Sequence, residues 1–215
     1  GEYSGIEHIV CPGVVQSIKL ITRDASERVI RYAFEYARAI GRPRVIVVHK
    51  STIQRLADGL FVNVAKELSK EYPDLTLETE LIDNSVLKVV TNPSAYTDAV
   101  SVCPNLYGDI LSDLNSGLSA GSLGLTPSAN IGHKISIFEA VHGSAPDIAG
   151  QDKANPTALL LSSVMMLNHM GLTNHADQIQ NAVLSTIASG PENRTGDLAG
   201  TATTSSFTEA VIKRL

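Results

Sequence analysis

The chain has 215 residues, of which 43% are hydrophobic and 18% are charged, and its formal net charge is −5 at pH 7. This composition excludes a disordered, collagen-like or coiled-coil chain, and the mild acidity gives no reason to expect a nucleic-acid partner or an anionic membrane surface. No apolar stretch of the sequence is long enough to cross a bilayer, and the two cysteines form neither a disulfide framework nor a metal motif. The length predicts one or two domains.

Strand and helix signals alternate along the first half of the chain. The run RVIVV is short and β-branched, which is typical of a buried parallel strand. Asp24 is a predicted helix N-cap, and Gly41 follows the predicted end of that helix. In order, the sequence predicts extended chain, a helix, the buried strand, a second helix and a half-exposed strand over residues 14–22, 24–40, 44–48, 52–71 and 75–82.

The second half continues the alternation, which favours an α/β fold. Four glycines and Pro127 predict a loop over residues 117–132, and this change in composition is the favoured domain boundary. Asn155 and Pro156 form a good helix start. The predicted elements are strands over 99–103 and 134–141, and helices after 84, after 107 and over 156–170, 174–189 and 206–215.

Common nucleotide-loop and hydrolase motifs are absent from the sequence. No GxGxxG follows a predicted strand, and no GxxxxGK[ST], HExxH or GxSxG occurs. Asp109 and Asp113 are four residues apart, so on a helix they would share one face, where a hard cation such as Mg²⁺ would offset their mutual repulsion. A solvated helix face is the alternative, and the spacing alone favours that alternative.

Three further side chains are candidates for ligand binding or proton transfer: Lys50, Asp83 and Tyr3. Lys50 directly follows the buried strand and Asp83 follows the half-exposed strand, both at carboxyl ends. A partly desolvated lysine in such a place can act as a base, and Tyr3 can act as a phenolic acid. A lysine that simply reaches water, a turn aspartate and a packing tyrosine are the structural alternatives.

The segment HGSAPD, residues 142–147, follows another predicted strand. Its glycine and proline permit a tight loop close to a ligand. The carboxylate of Asp147 suits a ribose diol, because it accepts two hydroxyl hydrogen bonds and repels a 2′-phosphate. A surface turn is the alternative interpretation.

Taken together, five segments resemble the β-decarboxylating dehydrogenases, the isocitrate/isopropylmalate dehydrogenase family. They cover nearly the whole chain in the order GEYSGIEH, VVHKSTI, LIDN, NLYGDILSD and FEAVHGSAPDIAGQDKANPTALLLSSVMML. Each motif alone is weak, but the joint pattern is specific, and within the family it is most similar to catalytic subunits of mitochondrial NAD-dependent isocitrate dehydrogenases. The resemblance implies an α/β, isocitrate/isopropylmalate dehydrogenase-like fold without the N-terminal part of the large domain.

The resemblance implies a role for each candidate residue. Tyr3 resembles the tyrosine that protonates the product enolate, and Lys50 resembles the lysine near the reacting hydroxyl, which the neighbouring subunit supplies. Asp109 and Asp113 resemble the metal carboxylates of one subunit. Asp83 resembles the third carboxylate, which comes from the partner, and the implied metal is Mg²⁺ or Mn²⁺.

The implied cofactor is NAD. Asp147 stands where NADP-specific relatives have a basic residue, and Gly196 falls where bacterial NADP enzymes place a phosphate-binding tyrosine. The implied cofactor-binding residues are Glu139, His142, Gly143, Ser144, Ala145, Pro146, Asp147, Ile148, Asn155 and Asp197.

The resemblance also implies an assembly. Residues 1–23 would form a clasp at a dimer interface, 24–119 a small α/β domain and 120–215 the C-terminal part of the large, cofactor-binding domain. The implied partner is a related regulatory subunit in a larger, allosteric hetero-oligomer of the mitochondrial matrix. The start at Gly1 is interpreted as a truncation that leaves out the side chains that grip the substrate carboxylates.

The implied reaction is the NAD-dependent oxidative decarboxylation of isocitrate to 2-oxoglutarate and CO₂, a step of the tricarboxylic acid cycle. A non-catalytic regulatory subunit of the same assembly and a 3-isopropylmalate dehydrogenase are the alternatives. The presence of a tyrosine, a lysine and three aspartates at the motif positions favours a catalytic subunit.

Overall fold

A computed structural model describes residues 1–119 and 121–215 of the chain, without the side chains of residues 119 and 123. The chain divides into two compact units, Gly1–Leu114 and Asn115–Leu215. Residue 120, at the predicted domain boundary, lies outside the described residues. The division into domains at residues 23 and 119 stays a prediction.

The first unit combines a β-hairpin with a three-stranded parallel sheet and its helices. The hairpin pairs two antiparallel strands, and the sheet has the order β4-β3-β5. The strands are β1 (Glu7–Cys11), β2 (Val14–Ser17), β3 (Arg44–His49), β4 (Thr76–Leu81) and β5 (Ala99–Val102). The helices are α1 (Arg23–Ala39), α2 (Ala57–Leu68), α3 (Ile82–Thr91) and the start of α4 (Asn105–Ser119), with 3₁₀ turns at Glu2–Ser4, Ser69–Glu71 and Pro93–Tyr96.

The core of this unit forms around the central strand β3. Its residues 45–49 are all buried, because a central parallel strand is covered on both faces. On one side of the sheet, Phe34 of α1 is fully buried and stacks on Tyr72, with ring centroids 4.8 Å apart. This packing fixes the end of β3, and so the position of the following residue, Lys50.

Two helix starts in this unit differ from the prediction. Helix α1 is capped by Thr22, whose hydroxyl accepts the Ala25 N–H over 3.3 Å, so the predicted cap Asp24 lies in the first turn instead. Helix α2 begins later than predicted, because the chain after β3 first makes a turn in which the Gln54 N–H donates to the Lys50 carbonyl over 2.8 Å.

In the residues that the structure describes, the second unit combines an antiparallel hairpin with three complete helices and the end of a fourth. The hairpin runs from Pro127↔Ala140 to Ile131↔Ser136. The elements are β6 (Pro127–Ile131), β7 (Ser136–Ala140), α5 (Thr157–His169), α6 (Thr173–Ala188) and α7 (Thr204–Ile212), with the end of α4 and 3₁₀ turns at Leu123–Leu125, Pro146–Ile148, Pro191–Asn193 and Gly196–Leu198. A core of buried side chains from α6 and α7 contains Ala182, Val183, Phe207 and Val211.

The loop predicted over residues 117–132 is wrong in its second half, where β6 stands. The sequence PSANI has little strand propensity, and it becomes a strand because it pairs with β7. In the part of the chain that the structure describes, no helix has the length and hydrophobicity needed to span a membrane.

Candidate active site

Lys50 and Asp83 meet at the carboxyl edge of the parallel sheet. Lys50 follows β3 directly, and Asp83 lies in the first turn of α3, which follows β4 without a break. The Lys50 Nζ donates to Asp83 Oδ1 over 2.6 Å, and the two side chains are 28% and 60% exposed. The hydrogen bond from Lys50 holds the pKa of the Asp83 carboxyl below its ordinary range.

Tyr3 and Asp109 form a second pair. Tyr3 lies in the 3₁₀ turn near the start of the chain, and its hydroxyl donates to a carboxylate oxygen of Asp109 on α4. This hydrogen bond raises the pKa of the Tyr3 phenol, so the phenol keeps its proton. Tyr3 is 59% exposed and open to a ligand.

Asp109 and Asp113 fit a divalent cation. Both are exposed and lie four residues apart on α4, on one face of the helix. Hard carboxylate oxygens are the donors that Mg²⁺ and Mn²⁺ prefer, and Mg²⁺ is commonly held by one or two carboxylates together with substrate oxygens and water. Within the described residues no group of three or more His, Cys, Asp or Glu side chains is placed to hold a metal ion.

A cluster of three side chains that the sequence patterns did not single out lies directly behind these groups: Lys19, Asp58 and Tyr107. Asp58 is fully buried, and its carboxylate accepts the Lys50 N–H over 2.6 Å. An aspartate near a helix N-terminus is ordinary on a solvated surface, so the sequence carries no signal that this one is buried.

Six of the predicted cofactor residues line one cavity of the second unit, about 610 Å³ in volume. The cavity wall contains His142, Gly143, Ser144, Ala145, Ile148 and Asn155. The segment 142–148 is exposed along its whole length, and its residue Ala145 has a left-handed backbone (φ 43°) that turns the chain into the following 3₁₀ turn. The volume and the few convergent polar groups are of the kind that binds a nucleoside-sized ligand.

The other four predicted cofactor residues are not on that cavity wall. Pro146 and Asp147 belong to the same exposed segment without lining the cavity. Glu139 lies on β7, where its carboxylate accepts the Asn130 side-chain amide over 2.7 Å. Asp197 lines an adjacent cavity of about 540 Å³ together with Asn155.

Asn155 and Asp197 are joined by a network of short hydrogen bonds. Asn155 is 8% exposed, and its Nδ2 donates to Asp197 Oδ2 over 3.0 Å. Hydroxyls of Ser122 and Thr195 donate to the same carboxylate, each over 2.5 Å. Burial alone would raise the pKa of Asp197, but these three donors outweigh it and lower the pKa. The carboxylate therefore stays ionised and holds Asn155 in place.

The comparisons with known proteins agree on one family. Residues 1–211 match the family model described as isocitrate/isopropylmalate dehydrogenase. The chain is 82% identical over 215 residues to the mitochondrial isocitrate dehydrogenase [NAD] subunit 2 of Kluyveromyces lactis, and it covers 58% of that protein. It is 53% identical to a regulatory subunit of the mitochondrial isocitrate dehydrogenase [NAD] of Dictyostelium discoideum, covering 60% of it.

Among solved structures, the isocitrate dehydrogenase from Methylococcus capsulatus superposes with a TM-score of 0.93 at 44% identity. The match covers 100% of this chain and 64% of that one. The chain thus spans somewhat more than half the length of the relatives it matches.

Proposed function

Because the chain belongs to the isocitrate/isopropylmalate dehydrogenase family, we propose that it is part of an NAD-dependent isocitrate dehydrogenase, which converts isocitrate to 2-oxoglutarate and CO₂. The observation that carries the proposal is a double pairing in the first unit: Tyr3 bonds to Asp109, and Lys50 bonds to Asp83. In each pair, one residue can donate or accept a proton and the other is a carboxylate predicted to bind the metal. A reaction that transfers protons next to a bound cation requires both kinds of group side by side.

In this mechanism Asp109 and Asp113 would hold Mg²⁺ or Mn²⁺. When bound, the cation would act as a Lewis acid at the C2 hydroxyl, and NAD would accept the hydride from C2. The Nζ of Lys50 would take the proton of the C2 hydroxyl in the site of the neighbouring subunit, and the equivalent lysine of the partner subunit would do so in this chain's own site. The β-carboxylate then leaves as CO₂, its bonding electrons pass to C3, and the Tyr3 phenol delivers a proton to C3.

The second unit would bind the cofactor. The cavity bordered by the segment 142–148 and Asn155 is the site for the adenosine half, and Asp197 keeps Asn155 oriented toward it. The exposed Asp147 carboxylate next to the cavity favours NAD over NADP, because it accepts hydrogen bonds from a ribose diol and repels a 2′-phosphate.

We further propose that the chain acts as a catalytic subunit in a hetero-oligomer of the mitochondrial matrix, whose other component is a related regulatory subunit. The names of the relatives do not distinguish a catalytic from a regulatory role, since a protein named subunit 2 and one named a regulatory subunit both match the whole chain. The support comes from the residues: Tyr3, Lys50, Asp83, Asp109 and Asp113 are all present, and the structure pairs four of them.

The test is NADH formation by the complete protein in its assembly, with Mg²⁺ and either isocitrate or 3-isopropylmalate. We expect turnover of isocitrate, and we expect Asp109→Asn to lower kcat by roughly 10³-fold, because it removes a metal ligand and the partner of Tyr3. Asp24→Asn is the matched control, since Asp24 is an exposed aspartate in the first turn of another helix.

The alternatives give different outcomes. Turnover of 3-isopropylmalate in place of isocitrate would identify the other dehydrogenase of the family. Unchanged turnover in Asp109→Asn, with loss of activity when the same change is made in the partner, would make this chain the regulatory one.

A further inference from the structure

The chain between the 3₁₀ turn Pro146–Ile148 and helix α5 forms a wall between two cavities of the second unit. Residues 152–155, here called the wall segment, line both the cavity of about 610 Å³ and the adjacent cavity of about 540 Å³. The structure describes every residue of 149–156, and none of them belongs to a helix or a strand. The shape of the larger cavity, the proposed cofactor site, therefore depends on what holds the wall segment in place.

One end of the wall segment is held by Asn155. Its Nδ2 donates to Asp197 over 3.0 Å, and its Oδ1 accepts the Thr157 N–H over 3.0 Å. Asn155 is also buried. This end is thus fastened to the start of α5 and to the turn that carries Asp197.

The other end is held by Asp152. Its Oδ1 accepts both the N–H of Ser205, over 3.0 Å, and the hydroxyl of the same serine, over 2.9 Å. The Asp152 carbonyl accepts the N–H of Thr204 over 2.9 Å. The hydrogen bond from the Ser205 hydroxyl holds the pKa of the Asp152 carboxyl below its ordinary range, so the acceptor is ionised at neutral pH.

Helix α7, which supplies these donors, is itself firmly placed. Phe207 is fully buried and packs with Val211 in the core that α7 shares with α6. A capping box between Thr203 and Ser206 closes the start of the helix. The Thr204 hydroxyl also donates to the Ala154 carbonyl over 2.5 Å. The first turn of α7 is therefore a fixed point to which the wall segment is attached at two places.

The backbone of Asp152 is also unusual, since its φ of 54° lies in the left-handed region. Glycine, asparagine and aspartate adopt this conformation more readily than other residues. The position thus combines a required backbone shape with a required side-chain acceptor, and the two requirements can be separated by substitution.

We propose that Asp152 is a positioning residue for the cofactor, which fastens the wall segment to α7 and thereby sets the affinity for NAD. The proposal rests on the proposed function for the identity of the ligand. A wall that leaves its bound position for part of the time lowers the apparent affinity in proportion to that time. The chemical step of the bound complex is left unchanged.

The experiment compares Asp152→Asn with Asp152→Gly in the complete protein and its assembly. Both replacements accept the left-handed backbone, but only asparagine keeps an oxygen that can accept from Ser205. The measurements are KM for NAD, kcat with isocitrate and Mg²⁺, and the Kd for NAD from calorimetry. Hydrogen exchange of the Thr204 and Ser205 amides reports directly on the attachment.

For a positioning role we expect KM and Kd for NAD to be about tenfold higher in the Gly variant than in the Asn variant. The kcat values at saturating NAD should agree within about twofold. The two amides should exchange faster in the Gly variant. Equal affinity in the two folded variants would overturn the proposal, as would a lower kcat with unchanged affinity.

Two further variants keep the result decisive. If the Gly variant does not fold, Ser205→Ala removes one of the two donors to Asp152 and leaves the wall segment intact in sequence. KM for NAD should then rise roughly threefold to tenfold, and an unchanged KM would overturn the proposal. Thr208→Val is the matched control, because it removes a hydroxyl bond of 2.8 Å to the Thr204 carbonyl within α7 and should leave KM unchanged.

Failure of the proposed function gives a different result. If the wild-type protein binds NAD but forms no NADH from isocitrate, the proposed reaction is wrong, while the Kd comparison still decides the role of Asp152. If it binds no NAD, the cofactor assignment is wrong. Equal exchange of the Thr204 and Ser205 amides in the two variants would show that Asp152 does not hold the wall segment, whatever the ligand.

Discussion

Replacing Asn155 by Asp should destabilise the second unit in a pH-dependent way. The Asn155 Oδ1 accepts the Thr157 N–H over 3.0 Å and caps α5, while its Nδ2 donates to Asp197 over 3.0 Å. An aspartate at this position keeps the acceptor for the cap. It loses the donor, however, and places a second carboxylate against Asp197, which stays ionised because its hydrogen bonds lower its pKa despite burial.

The size of the destabilisation can be calculated from the separation between the carboxylates at positions 155 and 197. Two unit charges 3.0 Å apart repel each other by about 1.5 kcal/mol at the dielectric constant of water and by about 5.5 kcal/mol at an effective value of 20. If one of the two carboxyls binds a proton, the repulsion is avoided. The loss of unfolding free energy is then limited to the free energy of protonation, about 4 kcal/mol at pH 7 and about 1.5 kcal/mol at pH 5. Because Asp197 is only partly desolvated, solvent screens part of this repulsion, and we expect a loss of about 3 kcal/mol at pH 7 and at most about 1.5 kcal/mol at pH 5.

The assay is thermal unfolding of the complete protein at both pH values. For a chain of this size the loss at pH 7 corresponds to a decrease in Tm of about 6–12 °C, with at most about half of that at pH 5. Asn155→Ala removes the same donor without adding charge, so its decrease in Tm should be the same at both pH values. The swap Asn155→Asp/Asp197→Asn restores a donor–acceptor pair and should recover at least half of the loss. A decrease that does not depend on pH, or a swap that recovers nothing, would refute the electrostatic reasoning.

Three smaller predictions concern other parts of the chain. Burial, together with the charge of Asp109, raises the pKa of Cys103 to about 12, so iodoacetamide at pH 8 should modify this thiol in unfolded but not in folded protein, as mass spectrometry would record. A Cβ on Gly200 would lie 2.1 Å from the Arg194 carbonyl oxygen, whereas a Cβ on Gly196 meets open space; Gly200→Ala should lower Tm by several degrees and Gly196→Ala by less than about 1 °C. Burial lowers the pKa of His49, so its neutral ring stabilises the fold fully above pH about 6.5 and less as the pH falls through its folded pKa; His49→Gln should flatten the decline in Tm between pH 7 and pH 5.

Where burial leaves a pattern in the sequence, the fold could be predicted. The run RVIVV became the buried strand β3, and the alternating stretch LTLETELI became the half-exposed strand β4. No such pattern marks β6, because its residues owe their conformation to pairing with β7 in a hairpin and not to their own strand propensity. Local sequence also could not decide between Thr22 and Asp24 as the cap of α1, since both residue types cap helices well.

The residues of the candidate site could likewise be predicted only in part. Residue types at strand ends pointed to Lys50 and Asp83, and helical spacing pointed to Asp109 with Asp113. Asp58 gave no such signal, because a helix N-terminus accepts an aspartate whether it is solvated or buried. Its contact with the Lys50 N–H became visible only in the structure of the turn after β3.

The two pairings of the first unit also bear on how an assembled site would be shared. The resemblance to the family assigns Lys50 and Asp83 to a neighbour's site, and these two residues bond to each other in this chain. It assigns Tyr3 and Asp109 to the chain's own site, and these two also bond to each other. Under the proposed function, a chain that supplies one pair to its neighbour's site and keeps the other would need an equivalent lysine–aspartate pair from its partner to complete its own site. Under the proposed function, a regulatory partner without equivalents of Asp109 and Asp113 would still have to supply that lysine and aspartate.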